Sequence, residues 1–180
     1  MITFLKKRSY DLVYMFVTQL AISLFGLALA FAVPVNQAAL RIGTSVFSVL
    51  FYLFLIYTRV WELGYKDCHA FRRGESGLSR LTGLYMGLVA NTVNFIVALF
   101  ILIGWLSANS VIDAIAGGAT LVALLTEGMY IGILSTTVGE TVLNSVGFMY
   151  FVITIPLIIT STLAYIAGSH DFKLFGSNKK

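Results

Sequence analysis

The densest group of reactive side chains in this sequence is LGYKDCHAFRRGESG at 63–77, where Cys68 stands beside His69 with Lys66, Asp67, Arg72, Arg73 and Glu75 close by. A thiolate and an imidazole could bind zinc or copper, and a thiol with a neighbouring base is the beginning of a nucleophilic site. Both chemistries need more than adjacency. A metal needs further convergent ligands, for which Asp67, Glu75 and His170 are the candidates; a nucleophile needs a base held within hydrogen-bond reach and an oxyanion partner. Cys68 is the only cysteine, so there is no internal disulfide and no CxxC pair for a structural zinc. The sequence has no phosphate-binding glycine loop, no HExxH, no GxSxG and no paired carboxylates within an apolar run. It reads as non-enzymatic, with no metal and no cofactor expected.

The elements that carry these residues follow from composition. Of 180 residues, 58% are hydrophobic and 11% charged, against about 25% charged in soluble domains. Such a chain has too little polar surface to cover a water-soluble fold. The stretches 12–40, 42–58, 81–112 and 141–169 contain no Asp, Glu, Lys or Arg. Each provides the roughly 17–25 residues that cross about 30 Å of hydrocarbon as a helix. They are continuously apolar rather than alternating, which argues against a membrane β-barrel. The expected fold class is all-α: a single integral membrane domain of four transmembrane helices arranged as two hairpins. The first run is too long for the core of a secretory signal and reads as a membrane helix despite Lys6, Lys7 and Arg8 before it.

Basic residues set the expected threading. Eleven of the twelve fall before the first run, in 59–80, or after 172; Arg41 alone stands elsewhere, and 81–172 holds no Lys or Arg. By the positive-inside rule both termini and the 59–80 loop are cytoplasmic, which requires an even number of crossings. The expected spans are 12–35, 44–63, 84–106 and 143–167. The intervening 107–140 is apolar but carries Asp113 and Glu127; it is expected on the outer face, interfacial or re-entrant. The net charge of +4 is thus read as topology, and no nucleic-acid partner is expected. Pro34 closes the first span, Gly64 and Gly168 are expected as left-handed helix ends, and Pro156 predicts a kink in the last span.

Polar residues within spans are costly in lipid and face protein or water. Asn91 and Asn94 share a helical face, and Gln19 lies in the first span, so Gln19, Asn91 and Asn94 form a candidate polar intramembrane site. Asp113 and Glu127, 14 residues apart, would share a face if one helix carried both. Gly83-x-x-x-Gly87 and Gly128-x-x-x-Gly132 permit close helix packing and are compatible with a homo-oligomer. A GYKD at 64–67 is echoed by GSHD at 168–171. The echo suggests two like hairpins and a shared docking surface of Lys66, Asp67, His170 and Asp171 for a membrane-protein partner.

The runs WELGYKDCHAFRRGE, SRLTGLYMGLVANTVNF and LAYIAGSHDFKLF resemble a group of small, uncharacterised four-span membrane proteins of Gram-positive bacteria. The resemblance implies a bacterial cytoplasmic membrane and four spans, and it brings no activity. That group's pattern would place a proline midway along the third span, where this chain has Asn94 and its neighbours. Two functions from different classes fit. One is a non-catalytic accessory or assembly subunit, acting through helix packing and its basic loop. The other is a small transport component, similar to the substrate-binding membrane subunits of energy-coupled vitamin uptake systems. The accessory reading leans on the lack of a buried charge in any expected span. A re-entrant 107–140 lining a cavity would favour transport.

Overall fold

The computed structural model describes residues 2–74, 79, 81–107 and 109–170; Glu75, Arg80 and the expected docking residue Asp171 lie outside them. The helices are α1 (Ile2–Ala32), α2 (Ala38–Arg72), α3 (Thr82–Ala90), α4 (Thr92–Leu106), α5 (Ser110–Glu127), α6 (Ile131–Leu134), α7 (Met149–Val152) and α8 (Ile155–Ser169), with a tight turn, Gly128–Tyr130, joining α5 to α6. The strand content of the described residues is one small antiparallel ribbon, β1 (Thr137–Val138) with β2 (Thr141–Val142), turned at Gly139. Four helices are long and apolar enough to cross a membrane: Phe4–Ala32, Ala38–Arg72, Ser110–Leu134 and Met149–Ser169. The number is the expected one, but the membership differs. The expected span 84–106 is two helices meeting at 51°, and the long apolar helix Ser110–Leu134 lies within the segment expected on the outer face.

Pro34 ends α1 as expected, and its carbonyl accepts the Gln37 N–H in the turn to α2. Gly64 and Gly168 do not end helices, which corrects that expectation. Among the described residues the glycines with positive φ are Gly74 and Gly139, and α2 runs on through Arg72. At about 1.5 Å per residue its 35 residues reach about 52 Å, well past a 30 Å hydrocarbon layer. The stretch at 63–72 is therefore helix rather than loop.

The two glycines serve close approach instead. A Cβ on Gly64 would run into the Tyr165 carbonyl, and one on Gly168 into the Trp61 carbonyl, so α2 and α8 cross with their backbones nearly touching. The echoed motifs place reciprocal glycines at this crossing. Gly83 and Gly87 bring α3 against α8 at Ser161 and Ile158, and Gly104 brings the end of α4 against Ala116 of α5. Gly128 lies against Ser23 and Leu27 of α1, and Gly132 against Arg41 and Ser45 of α2. Both G-x-x-x-G pairs thus make contacts inside the chain.

The core between these contacts is apolar, with Met15, Tyr52, Ile56, Met86, Met129 and Leu157 among its most enclosed side chains. If the α2–α8 crossing organises the bundle, Gly168→Ala costs about 1–3 kcal/mol through overpacking. Gly43→Ala, on an exposed and open face of α2, adds about 0.5–1 kcal/mol by helix propensity. Thermal unfolding of the detergent-purified variants checks both.

Candidate functional site

Three groups of polar residues are held by this bundle. At one end, α1, α2 and α8 are tied by charge. Arg8 donates to the Asp67 carboxylate, which also accepts the Tyr165 hydroxyl at 2.7 Å. Arg59 reaches Asp11 at 2.8 Å and lies over the rings of Tyr10 and Tyr14. The expected docking set is thereby divided. Asp67 is committed to an internal pair whose side chains are only 10% and 16% exposed; Lys66 is exposed and pairs with Glu62 at 2.6 Å; His170 is exposed at the end of α8. Cys68 is buried within α2, and the His69 ring packs edge-on against Tyr65. Among the described residues no three His, Cys, Asp or Glu side chains converge as a metal site.

The second group joins two helix breaks. Asn91 separates α3 from α4 and is 1% exposed; its Nδ2 donates at 3.1 Å to the carbonyl of Thr154, in the break between α7 and α8. Asn94 Nδ2 in turn donates to Asn91 Oδ1 at 2.9 Å. Pro156, expected to kink the interior of the last span, stands instead in the first turn of α8, and in the break before it the Thr154 hydroxyl donates back to the Phe151 carbonyl. The third-span bend, for which this chain lacks a proline, is present at Asn91. Interrupted helices are tolerated in apolar surroundings where neighbouring groups satisfy the freed backbone. Gln19, the third expected polar residue, donates at 3.1 Å to the Thr126 carbonyl instead. Gln19 Oε1 and Asn94 Oδ1 are buried with no partner among the described residues.

The third group lies beside Thr126. A cavity of about 300 Å³ is lined by Phe31 of α1, by Thr120, Leu121, Ala123, Leu124 and Glu127 of α5, by Gly128, Ile131 and Leu134, and by Asn144 and Tyr150. Glu127 is the one charged residue in this lining and is 3% exposed. The chain turns there, with Glu127 at φ −130° and ψ 15°, and the Gly128 N–H that follows donates to Ser23 Oγ. Gly132 N–H donates to Ser45 Oγ at 2.8 Å, fixing the other arm. Among the described residues no hydrogen bond or ion pair reaches the Glu127 carboxyl. Tyr52, Tyr130 and Tyr150 lie near it, and Tyr150 donates to Asn144 Oδ1, which also lines the cavity.

This arrangement does not make one exposed acidic surface of Asp113 and Glu127. The two do ride on one helix, but Asp113 is exposed in its first turn, just past an Asn109 cap, whereas Glu127 is enclosed. A sequence signal for Glu127 was present in LLTEGMYIG, an acid flanked by apolar residues within 81–172, where no basic residue can neutralise it.

The charge ties yield a graded prediction. Asp67→Asn removes one partner of an enclosed pair and costs about 3–5 kcal/mol. Glu62→Gln removes an exposed one-turn pair and costs less than about 1 kcal/mol. Chemical unfolding in detergent should separate the two.

Compared with protein-family models, curated proteins and solved structures, the chain gives no match in any of the three.

Proposed function

We propose that this chain is a multi-pass protein of a bacterial cytoplasmic membrane that binds a small solute at its outer face, as a non-catalytic component of a transport system. In this reading α1, α2, α3 with α4, and α7 with α8 make four crossings in two hairpins. The segment 110–134 enters from the outer face and returns to it. Both termini and the basic 59–80 region are cytoplasmic, which accords with the clustering of Lys and Arg.

Contacts at the two ends of 110–134 support the re-entrant path. Gly147 packs against Leu102 and Trp105 at the end of α4, close before Ser110. Asn144 and Tyr150, which flank Gly147 in sequence, line the same cavity as Phe31 at the end of α1 and Leu134 at the end of α6. Gly132 meets Arg41 at the start of α2. The Leu134 end thus meets the start of α2 directly, and the Ser110 end is linked to the end of α1 through Gly147 and its neighbours in the cavity lining, whereas one straight crossing would carry the two ends to opposite faces. Between those ends, Thr126 reaches down α1 to Gln19.

The observation that carries the transport reading is the enclosed Glu127 beside a cavity. Buried ionisable groups in apolar segments are costly and mark solute or ion paths, and Glu127 supplies the buried charge whose lack had favoured an accessory role. The accessory reading has less support: Gly83, Gly87, Gly128 and Gly132 face neighbouring helices of the same chain, and Asp67 faces Arg8.

In a Cys68→Ala background, Leu124→Cys places a thiol on the cavity wall. A membrane-impermeant maleimide is expected to label it in intact cells. Protection in intact cells with labelling in inverted vesicles would contradict an outward-opening cavity.

A further inference from the structure

We propose that the Glu127 cavity binds a monovalent organic cation, an ammonium-type nitrogen carried on a compact apolar body. The inference rests on the solute-binding reading above and names the class of solute. Its first support is charge. Glu127 is enclosed and lacks a partner among the described residues, and an isolated carboxyl in apolar surroundings holds its proton until a counter-charge is at hand. No described residue supplies one. Arg8 and Arg59 are engaged by Asp67 and Asp11 at the far end of α1, and Arg41, at the near end, makes no ion pair with Glu127.

The second support is the remainder of the lining. Phe31 and Tyr150 present aromatic rings, which attract cations through their faces, and Leu124, Ile131 and Leu134 offer apolar contact. A hard metal ion would require six or more oxygen ligands, and the Glu127 carboxyl with the single side-chain oxygens of Thr120, Asn144 and Tyr150 falls short of that number. An anion would be repelled. The cavity's 300 Å³ stands at the small end of the about 300–1,000 Å³ seen for small-molecule sites. Phe31 and Leu121, both 66% exposed, flank the site and leave room for an amphipathic cation to enter along the bilayer surface.

The test uses the full chain purified in dodecyl maltoside, whose headgroup is uncharged. Benzyltrimethylammonium is the probe and neopentylbenzene its neutral isostere; binding is read by calorimetric titration. The cation is expected to bind the wild type at least about tenfold more tightly than it binds Glu127→Gln, and at least about tenfold more tightly than the neutral isostere binds the wild type. Leu124→Trp fills the cavity while leaving the carboxyl in place, and it too is expected to abolish binding, which covers a Glu127→Gln variant that fails to fold. Equal affinity of wild type and folded Glu127→Gln, equal affinity for the isostere, or no cation binding by folded wild type would overturn the inference. So would a response to phosphatidylethanolamine micelles without one to the soluble cation, since the ammonium would then belong to a lipid headgroup. Outside labelling at Leu124 is independent of these results, so an outward cavity that ignores the cation overturns this inference alone.

Discussion

The backbone contact between α2 and α8 at Gly64 and Gly168 fixes the frame on which the other positions depend. In apolar surroundings there is no hydrophobic drive to hold helices together, so close packing and internal hydrogen bonds carry the association. With α8 clamped to α2, Gly83 and Gly87 seat α3 along α8, and Asn91 comes within reach of the Thr154 carbonyl. The bend at Asn91 then directs α4 away at 51°. The inclined α4 offers Gly104 to Ala116, which orients α5 and delivers Glu127 to its cavity. The chain of contacts runs from one pair of glycines to the carboxyl in five steps, each a packing or hydrogen-bond requirement.

Buried polar groups divide into two populations along this path. Those at the charged end of α1, α2 and α8 are joined in ion pairs, with Arg59 Nε the one atom there left over among the described residues, and their geometry is that of a structural clasp. Toward the other end several are incompletely satisfied: Gln19 Oε1, Asn94 Oδ1 and the Tyr52 hydroxyl lack partners, and Glu127 has none among the described residues. A polar group left unsatisfied in an apolar core costs about 1–3 kcal/mol. Of these only Glu127 lines the cavity, and leaving it without a partner weakens the bundle where a ligand would strengthen it, the usual relation between a binding site and the stability of its scaffold.

The all-α class, the number of long apolar helices and the stop at Pro34 were legible because continuous hydrophobicity and proline act locally. Gly64 and Gly168 were not. A glycine beside a charged stretch serves equally as a helix end or as a crossing point, and the choice is made by Tyr165 and Trp61, about a hundred residues away in sequence from the glycines they meet. Asn91 was recognised as a polar group in an apolar run, but not as the site of a bend, because its partner carbonyl at Thr154 lies in another broken helix. Cys68 and His69 stand out by adjacency; the continuation of α2 buries the first and sets the second edge-on against Tyr65. Glu127 was visible as an acid without a basic neighbour. Its enclosure depends on the turn at Gly128 and on Ser23, which no local pattern reveals.

The central claim is that 110–134 leaves and rejoins the same end of the bundle, so that Glu127 faces a cavity there. Pulsed electron paramagnetic resonance in lipid nanodiscs measures this most directly, with one spin label at Lys66 and the other placed in turn at Asp113 and Val138, all exposed positions. The account predicts that both distances exceed the roughly 30 Å of the hydrocarbon layer. A short Lys66–Asp113 distance beside a long Lys66–Val138 distance would contradict it, because the segment would then cross the bilayer once.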